Sequence, residues 1–541
     1  MLKIRRALSA LVLVAVCVQP ARAVEAPKTG AGTVHMPISC PADVAADFDR
    51  GLALLHNFWY DRALIVFDGV IAKEPQCRIA YWGAAMTYNH PLWSPPTKTD
   101  LTAALKVVQR GRSARIANER ERGLFDAVSA LYGDGDVTPA TIVARNGAYH
   151  AAMERLVTRY PDDEVQLFTA LAILGDGSPS LAARERAASI AQAVHTHQPN
   201  HPGALHYLIH AYDTDGMYER GLPAARAYAA SAPAVPHALH MPSHIFNALG
   251  YWQDSADSNL AAWNASVAAV VTNHEDPNMR DFHTLQFGQY ALLQLGRYAE
   301  ARKQAVDALD QYDANLARIA REHLTSGDAY QELRSLDFPA VGMTANYVLS
   351  SGDFTLVSRL PVDPSTPLVD AMARNIRTFA AAATHDEAAL ARANEHAQAL
   401  LASVAADDKR SKYPILALAQ EDLAIIARAH GDAAGASRAL DAALTLERDA
   451  PKHWQPTYLG VPAHELAGRW ALEDGRYTAA ADNFRTAIGL FPRRSKAIYG
   501  LAVAMGRSGN SADAHKFAQA FLAMWEHADP GIPELAVAKN L

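Results

Sequence analysis

Two histidine pairs, each four residues apart, recur at a fixed interval. His206 and His210 stand in PGALHYLIHAY, His240 and His244 in PHALHMPSHIF, and equivalent positions are 34 residues apart (240 − 206 and 244 − 210). Residues i and i+4 project from one face of a helix, so two equivalent helices would each present two imidazoles to the same side. A 34-residue period is also the length of one helix–turn–helix unit. Such a unit cannot bury its apolar face alone and must stack on its neighbours. The pattern predicts an all-α stack of hairpins that carries a four-histidine cluster.

The small and aromatic positions at which such helices cross recur at both ends of the chain. Gly51, Ala63 and Phe67 precede Pro75 by 24, 12 and 8 residues, and Gly468, Ala480 and Phe484 precede Pro492 by the same intervals. GRYTAA supplies the turn in the second unit, and a similar GRYAEA starts at Gly296. These positions resemble the tetratricopeptide repeat over about residues 43–530, which implies a superhelical solenoid. A chain of 541 residues is too long for one compact core but suits a stack that grows by addition. Apolar residues three and four apart in LAARERAASIAQAV (181–194) and EDLAIIARAHGDAAGASRALDAAL (421–444) agree with helices. The net charge of −7, without a long basic cluster, gives no reason to expect nucleic acid or an anionic membrane surface.

Lys3, Arg5 and Arg6 precede an apolar run from Ala7 to Val18 and then Ala21-Arg22-Ala23. This is the pattern of a secretory signal, residues 1–23, cleaved after Ala23; bulky Val16 argues against lipidation at Cys17. No later apolar run is long enough to span a membrane, so the mature chain is expected in the periplasm or outside the cell. There disulfides persist, and Cys40 and Cys77, each at the start of a first helix in neighbouring repeats, are expected to pair. Closing that 37-residue loop (77 − 40) stabilises the fold by about 4 kcal/mol on chain-entropy grounds. Pro27, Gly30, Gly32 and Pro37 mark residues 24–42 as a mobile lead-in. SSGDFTLVSRLPVDPSTPLVD, 350–370, is expected to join an N-terminal array (43–349) with a histidine-rich concave face to a C-terminal array (371–541).

CRIAYWGAAMTYNHPLW (77–93), HPGALHYLIHAYD (201–213), HALHMPSHIFNALGYW (237–252) and VPAHELAG (461–468) resemble, in that order, the secreted bacterial tetratricopeptide proteins of largely unassigned activity. The general repeat pattern implies a groove lined from each first helix at positions 2, 5, 9, 12 and 13. Counted from Pro202 and Pro236, His206 and His240 fall at position 5 and His210 and His244 at position 9. Counted from Phe282, His283 falls at position 2, which adds it to the four as an expected metal ligand, while His56 and His90 fall at position 13 of their repeats as groove candidates. His464 falls at a packing position.

Four neutral imidazoles without a free thiolate suit copper or zinc, and their need for the unprotonated ring predicts metal loss as pH falls through about 6.5. Pro242 lies between His240 and His244 and either starts the helix there or kinks it, which sets His240 apart. Asp213 and Asp281 are candidates to orient ligating rings. HExxH, GxxxxGKS and GxSxG patterns are absent from the sequence, so no reaction is assigned. Trp59, Tyr60, Tyr81, Trp82, Tyr88 and Trp93 cluster in the first two repeats and would suit peptide or aromatic-ligand capture wherever they reach the groove. Two readings follow. One is an extracytoplasmic scaffold holding a protein or peptide in its groove; the other is a copper- or zinc-binding protein built on the histidines, with a metal-dependent enzyme as its variant.

Overall fold

Glycine and phenylalanine set the stacking of the hairpins. In this computed structural model, which describes residues 25–92, 96–133, 138–177, 179–403, 413–449 and 460–541, the Phe67 ring fills the space beside Gly51 and Gly83. A Cβ on either glycine would lie within 3.0 Å of that ring. At the far end Phe484 sits in the same way against Gly468 and Gly500, and Ala63 and Ala480 are fully buried at the crossings. All regular secondary structure among the described residues is helical. The protein is an all-α helical-hairpin solenoid of the tetratricopeptide type, as the spacing predicts. The signal segment, Cys17 and Trp93 lie outside the described residues.

Helix starts carry the chemistry that ends and begins hairpins. Asn118, Asp162, Ser180 and Thr366 each accept a backbone N–H of their own first turn, which satisfies donors the helix cannot. Gly296 and Gly475 hold positive φ in the two GRY turns, a conformation open to glycine at little cost.

The lead-in, expected to be mobile, is a packed strap. Ala26, Ala31, Val34 and Met36 are buried, the Ala234 N–H donates to the Gly30 carbonyl at 2.9 Å, and Asn57 Nδ2 donates to the Ala31 carbonyl at 2.7 Å. Its glycines permit close approach: a Cβ on Gly30 would come within 2.7 Å of Ala234, and one on Gly32 within 2.8 Å of Pro202. The strap ends at Cys40, whose disulfide to Cys77 spans 5.4 Å between Cα atoms.

The expected junction at 350–370 contains a short 3₁₀ segment, Phe354–Arg359, and buries Leu356 and Leu360 in the core that continues on both sides of it. The C-terminal repeats then return to the middle of the chain. Arg494 pairs with buried Glu465 and donates to Tyr290 Oη at 2.7 Å. Trp252 Nε1 donates to the Arg493 carbonyl at 2.7 Å, and Trp525 Nε1 to the Gln294 carbonyl at 2.9 Å. No helix among the described residues is long and apolar enough to cross a membrane.

Candidate metal centre

Three neighbouring first helices supply the histidines. His201 caps Pro202–Tyr212 and Pro202 occupies its first turn, where a missing N–H is harmless; His206 and His210 follow on one face. The next first helix is interrupted as Pro242 requires, into Pro236–His240 and Pro242–Leu249. Met241 between them keeps helical dihedrals (φ −53°, ψ −34°), with N–H contacts from Met241 to the His237 carbonyl at 2.9 Å and from His244 to the Met241 carbonyl at 3.2 Å. His240 therefore remains on the face shared by His237 and His244. Asp281 caps Phe282–Gln294, which sets His283 in the first turn.

These residues form two groups, not one. His206 Nε2 lies 3.0 Å from His210 Nε2 and 3.1 Å from His237 Nε2. His240, His244 and His283 bring ligand atoms within 4.8 Å of one another, with His240 Nε2 and His244 Nε2 3.2 Å apart. The single cluster of His206, His210, His240, His244 and His283 expected from the sequence is thus divided. Each helical pair faces the second residue of the following first helix: positions 5 and 9 of one repeat meet position 2 of the next. Counted from Pro236, His237 holds position 2, as His283 does from Phe282. His237 belongs to no i, i+4 pair, and a search by pairs passes over it.

The hydrogen bonds around the rings fix their protons. His206 Nδ1 lies 2.6 Å from the His56 carbonyl, an acceptor only, so it carries the hydrogen and leaves Nε2 bare. His244 Nδ1 donates to Asp213 Oδ2 at 3.0 Å. His240 Nδ1 donates to Asn259 Oδ1 at 2.7 Å, and the Asn259 amide nitrogen is in turn committed to the Ser255 carbonyl. Two Nε2 lone pairs, those of His240 and His244, consequently point at each other. Burial holds the His206 pKa at about 3 and that of His283 at about 4; it also drives His210, His237 and His240 well below the ordinary histidine range, with neighbouring imidazoles adding to the effect. His240 therefore stays unprotonated near neutral pH, and its bare Nε2 is open to a metal ion.

Each group is also closed by one phenylalanine. The Phe58 ring centroid lies 4.3, 5.8 and 5.7 Å from those of His206, His210 and His237. Phe287 lies 5.1, 5.1 and 4.7 Å from His240, His244 and His283. Phe58 holds a positive φ of 56°, strained for a non-glycine residue.

The remaining expected site residues divide between cavity and core. His210, His237, His240, His244 and His283 border one cavity of about 1440 Å³, with His90, Trp59, Tyr60 and Tyr88 also on its wall. His90 stands 4.3 Å from Tyr60, ring to ring, apart from both groups. His56, expected in the groove, is fully buried instead, because Gly203 leaves room for its ring against the Pro202–Tyr212 helix. Its Nε2 lies 2.6 Å from Glu164 and its Nδ1 2.9 Å from Tyr207 Oη; His201 Nε2 meets the other Glu164 oxygen at 3.0 Å. Burial pushes Glu164 up, but the two imidazoles overcome this and hold it at about 2. The carboxylate takes up both Nε2–H groups, so this third histidine group is a satisfied core network. Tyr81 and Trp82 are core residues, and His464 pairs with Glu447 away from the cavity.

No family model matches the chain, and no curated protein matches it. Solved structures with partial likeness include human IFIT1 dimer with m7Gppp-AAAA, at 12% identity and a TM-score of 0.34 over 87% of this chain and 94% of that one. Naa15/Naa10 bound to HypK-THB shows 14% identity and a TM-score of 0.23 over 89% and 70%. The P58(IPK) TPR domain shows 12% and 0.19 over 92% and 98%. None of these speaks to the histidine cavity.

Proposed function

We propose that this chain is an extracytoplasmic repeat protein that holds copper or zinc ions at two three-histidine sites bordering its interior cavity. The facing lone pairs of His240 and His244, 3.2 Å apart with both Nδ1 protons committed elsewhere, carry this reading. Neutral imidazole donors suit copper and zinc rather than calcium or magnesium. Asp61, Asp100, Asp213, Glu275 and Asp281 on the cavity wall outnumber Arg62 and Arg184, and Arg62 is itself paired to Asp61 and Glu275, so the interior attracts cations. The signal-like first 23 residues and the Cys40–Cys77 bond support an extracytoplasmic location.

Elemental analysis of the chain purified without added metal, followed by titration with zinc or copper at pH 7.5, tests this. Micromolar or tighter binding is expected, and His206→Ala with His210→Ala removes one site with helix content unchanged. A wild-type chain that binds neither metal at micromolar concentration would sink the reading. The aromatic wall of Trp59, Tyr60 and Tyr88 favours a second one, in which the same groove holds a protein or peptide segment. Substituting those three residues would weaken such a partner and leave metal content unchanged.

A further inference from the structure

The two histidine groups share a register but are held with different firmness. In the first, His206 is buried and His210 and His237 are half-buried; in the second, His283 is exposed. The segment His56-Asn57-Phe58 closes the first group. The His56 carbonyl accepts the proton of His206 Nδ1 at 2.6 Å, and the Phe58 ring lies nearly parallel over His210 and His237, with interplanar angles of 24° and 18°. Phe287 meets the second group less squarely, edge-on to His240 and tilted by 34° and 56° from His244 and His283.

Asn57, between His56 and Phe58, is fully buried and ties that segment to the strap. Its Nδ2 donates to the Ala31 carbonyl of the strap and to the Ala53 carbonyl, each at 2.7 Å, and its Oδ1 accepts from Tyr228 Oη at 2.8 Å. The Tyr228 ring in turn stacks on His206, with centroids 5.1 Å apart. Phe58 keeps its strained positive φ only while its surroundings over-determine it, and the residue before it is pinned in this way. The second group is oriented from elsewhere. Asn259 on Trp252–Thr272 holds His240, and Asp213 at the end of Pro202–Tyr212 holds His244.

We propose, on the basis of the metal reading above, that the strap locks the first site and leaves the second free to exchange. The His206–His210–His237 site retains its ion, the His240–His244–His283 site is the one through which ions enter and leave, and Asn57 is the positioning residue that sets them apart. Release of an ion requires imidazoles to turn away from it. His206 is fixed both at Nδ1 and on its face, and His210 and His237 lie under a ring whose backbone is held through Asn57. His283 stands in the first turn of its helix, open to solvent, so it can turn aside while water takes its place on the ion. The chain is then a metal store with one slow and one fast compartment.

The test loads the full metal-free chain with zinc and follows its capture by an excess of chromogenic chelator at pH 7.5. Two phases of equal amplitude are expected, one for each site, and His283→Ala should abolish the fast one. Asn57→Ala should speed the slow phase by roughly 10- to 100-fold, the range for loss of an orienting group, and leave the fast phase as it was. Gly30→Ala displaces the strap without touching either histidine group, because its Cβ would press on Ala234; it should also speed the slow phase alone, and it decides the matter if Asn57→Ala misfolds. Zinc lost in a single phase, a fast phase that survives His283→Ala, a slow phase unchanged in both strap variants, or both phases speeded together by general loosening overturns the lock and leaves the metal reading intact. A chain that takes up no zinc overturns both.

Discussion

At the residue scale, the site rests on which nitrogen of each ring keeps its proton. Asp213 fixes this for His244, so Asp213→Asn should weaken metal binding by roughly 10- to 100-fold, as loss of such orienting groups does, with little change in fold; equal affinity in competition with a chromogenic chelator would remove Asp213 from that role. The acid limit follows from the lowered pKa values. His206 and His283 remain neutral down to about 3 and 4, so metal should be retained at pH 5.5 and lost near pH 4, below the 6.5 at which ordinary imidazoles would release it. The metal-free fold behaves differently. The unfolded chain takes up protons on its histidines below about 6.5 while the native His206 does so only near 3, so stability falls as pH drops through that window. Thermal melts of the metal-free chain from pH 7.5 to 4 should show a progressive decline that bound metal offsets.

At the element scale, the register between successive first helices decides what can meet. Position 2 of the Pro202–Tyr212 helix is Gly203, and a Cβ there would lie 2.3 Å from His56 Nδ1. Gly203→Ala should therefore cost about 1–3 kcal/mol, the range for overpacking a filled core, and would be seen as a lowered Tm; an unchanged Tm would mean that the His56–Glu164–His201 network is not tightly packed. Much of this level could be seen in the chain itself. The crossings at Gly51, Phe67, Gly468 and Phe484, the 34-residue step, the break at Pro242 and the partnership of Asp213 all follow from local spacing. His237 was open to the same count that picks out His283 but is hidden to a search for pairs. Glu164, Phe58 and the strap are different in kind: they pack against segments far along the chain, and one chain carries no signal for contacts such as His56–Glu164 and His206–His56, across 108 and 150 residues. The glycines of the strap look like flexibility when read alone, although they serve close packing.

At the scale of the whole molecule, the C-terminal repeats brace the helices that carry the second histidine group. Arg494 lies between Glu465 and Tyr290 with all three buried, and removal of one partner from such a pair typically costs about 3–5 kcal/mol. Arg494→Met should lower stability by that order and increase hydrogen exchange at Phe282–Gln294; a variant as stable as the parent would show that the return of the array is incidental.

The register that makes the two sites also explains why their row stops at Phe282–Gln294. Positions 5 and 9 of Phe282–Gln294 are Gln286 and Tyr290, and the second of these is occupied by Arg494. The ligand set is therefore a property of adjacency between successive units and not of any single one. Copying one histidine-bearing hairpin into such an array would extend the row by one rung. The number of ions held then becomes a quantity written in repeat number, and the returning C-terminal arm is the stop that ends the count.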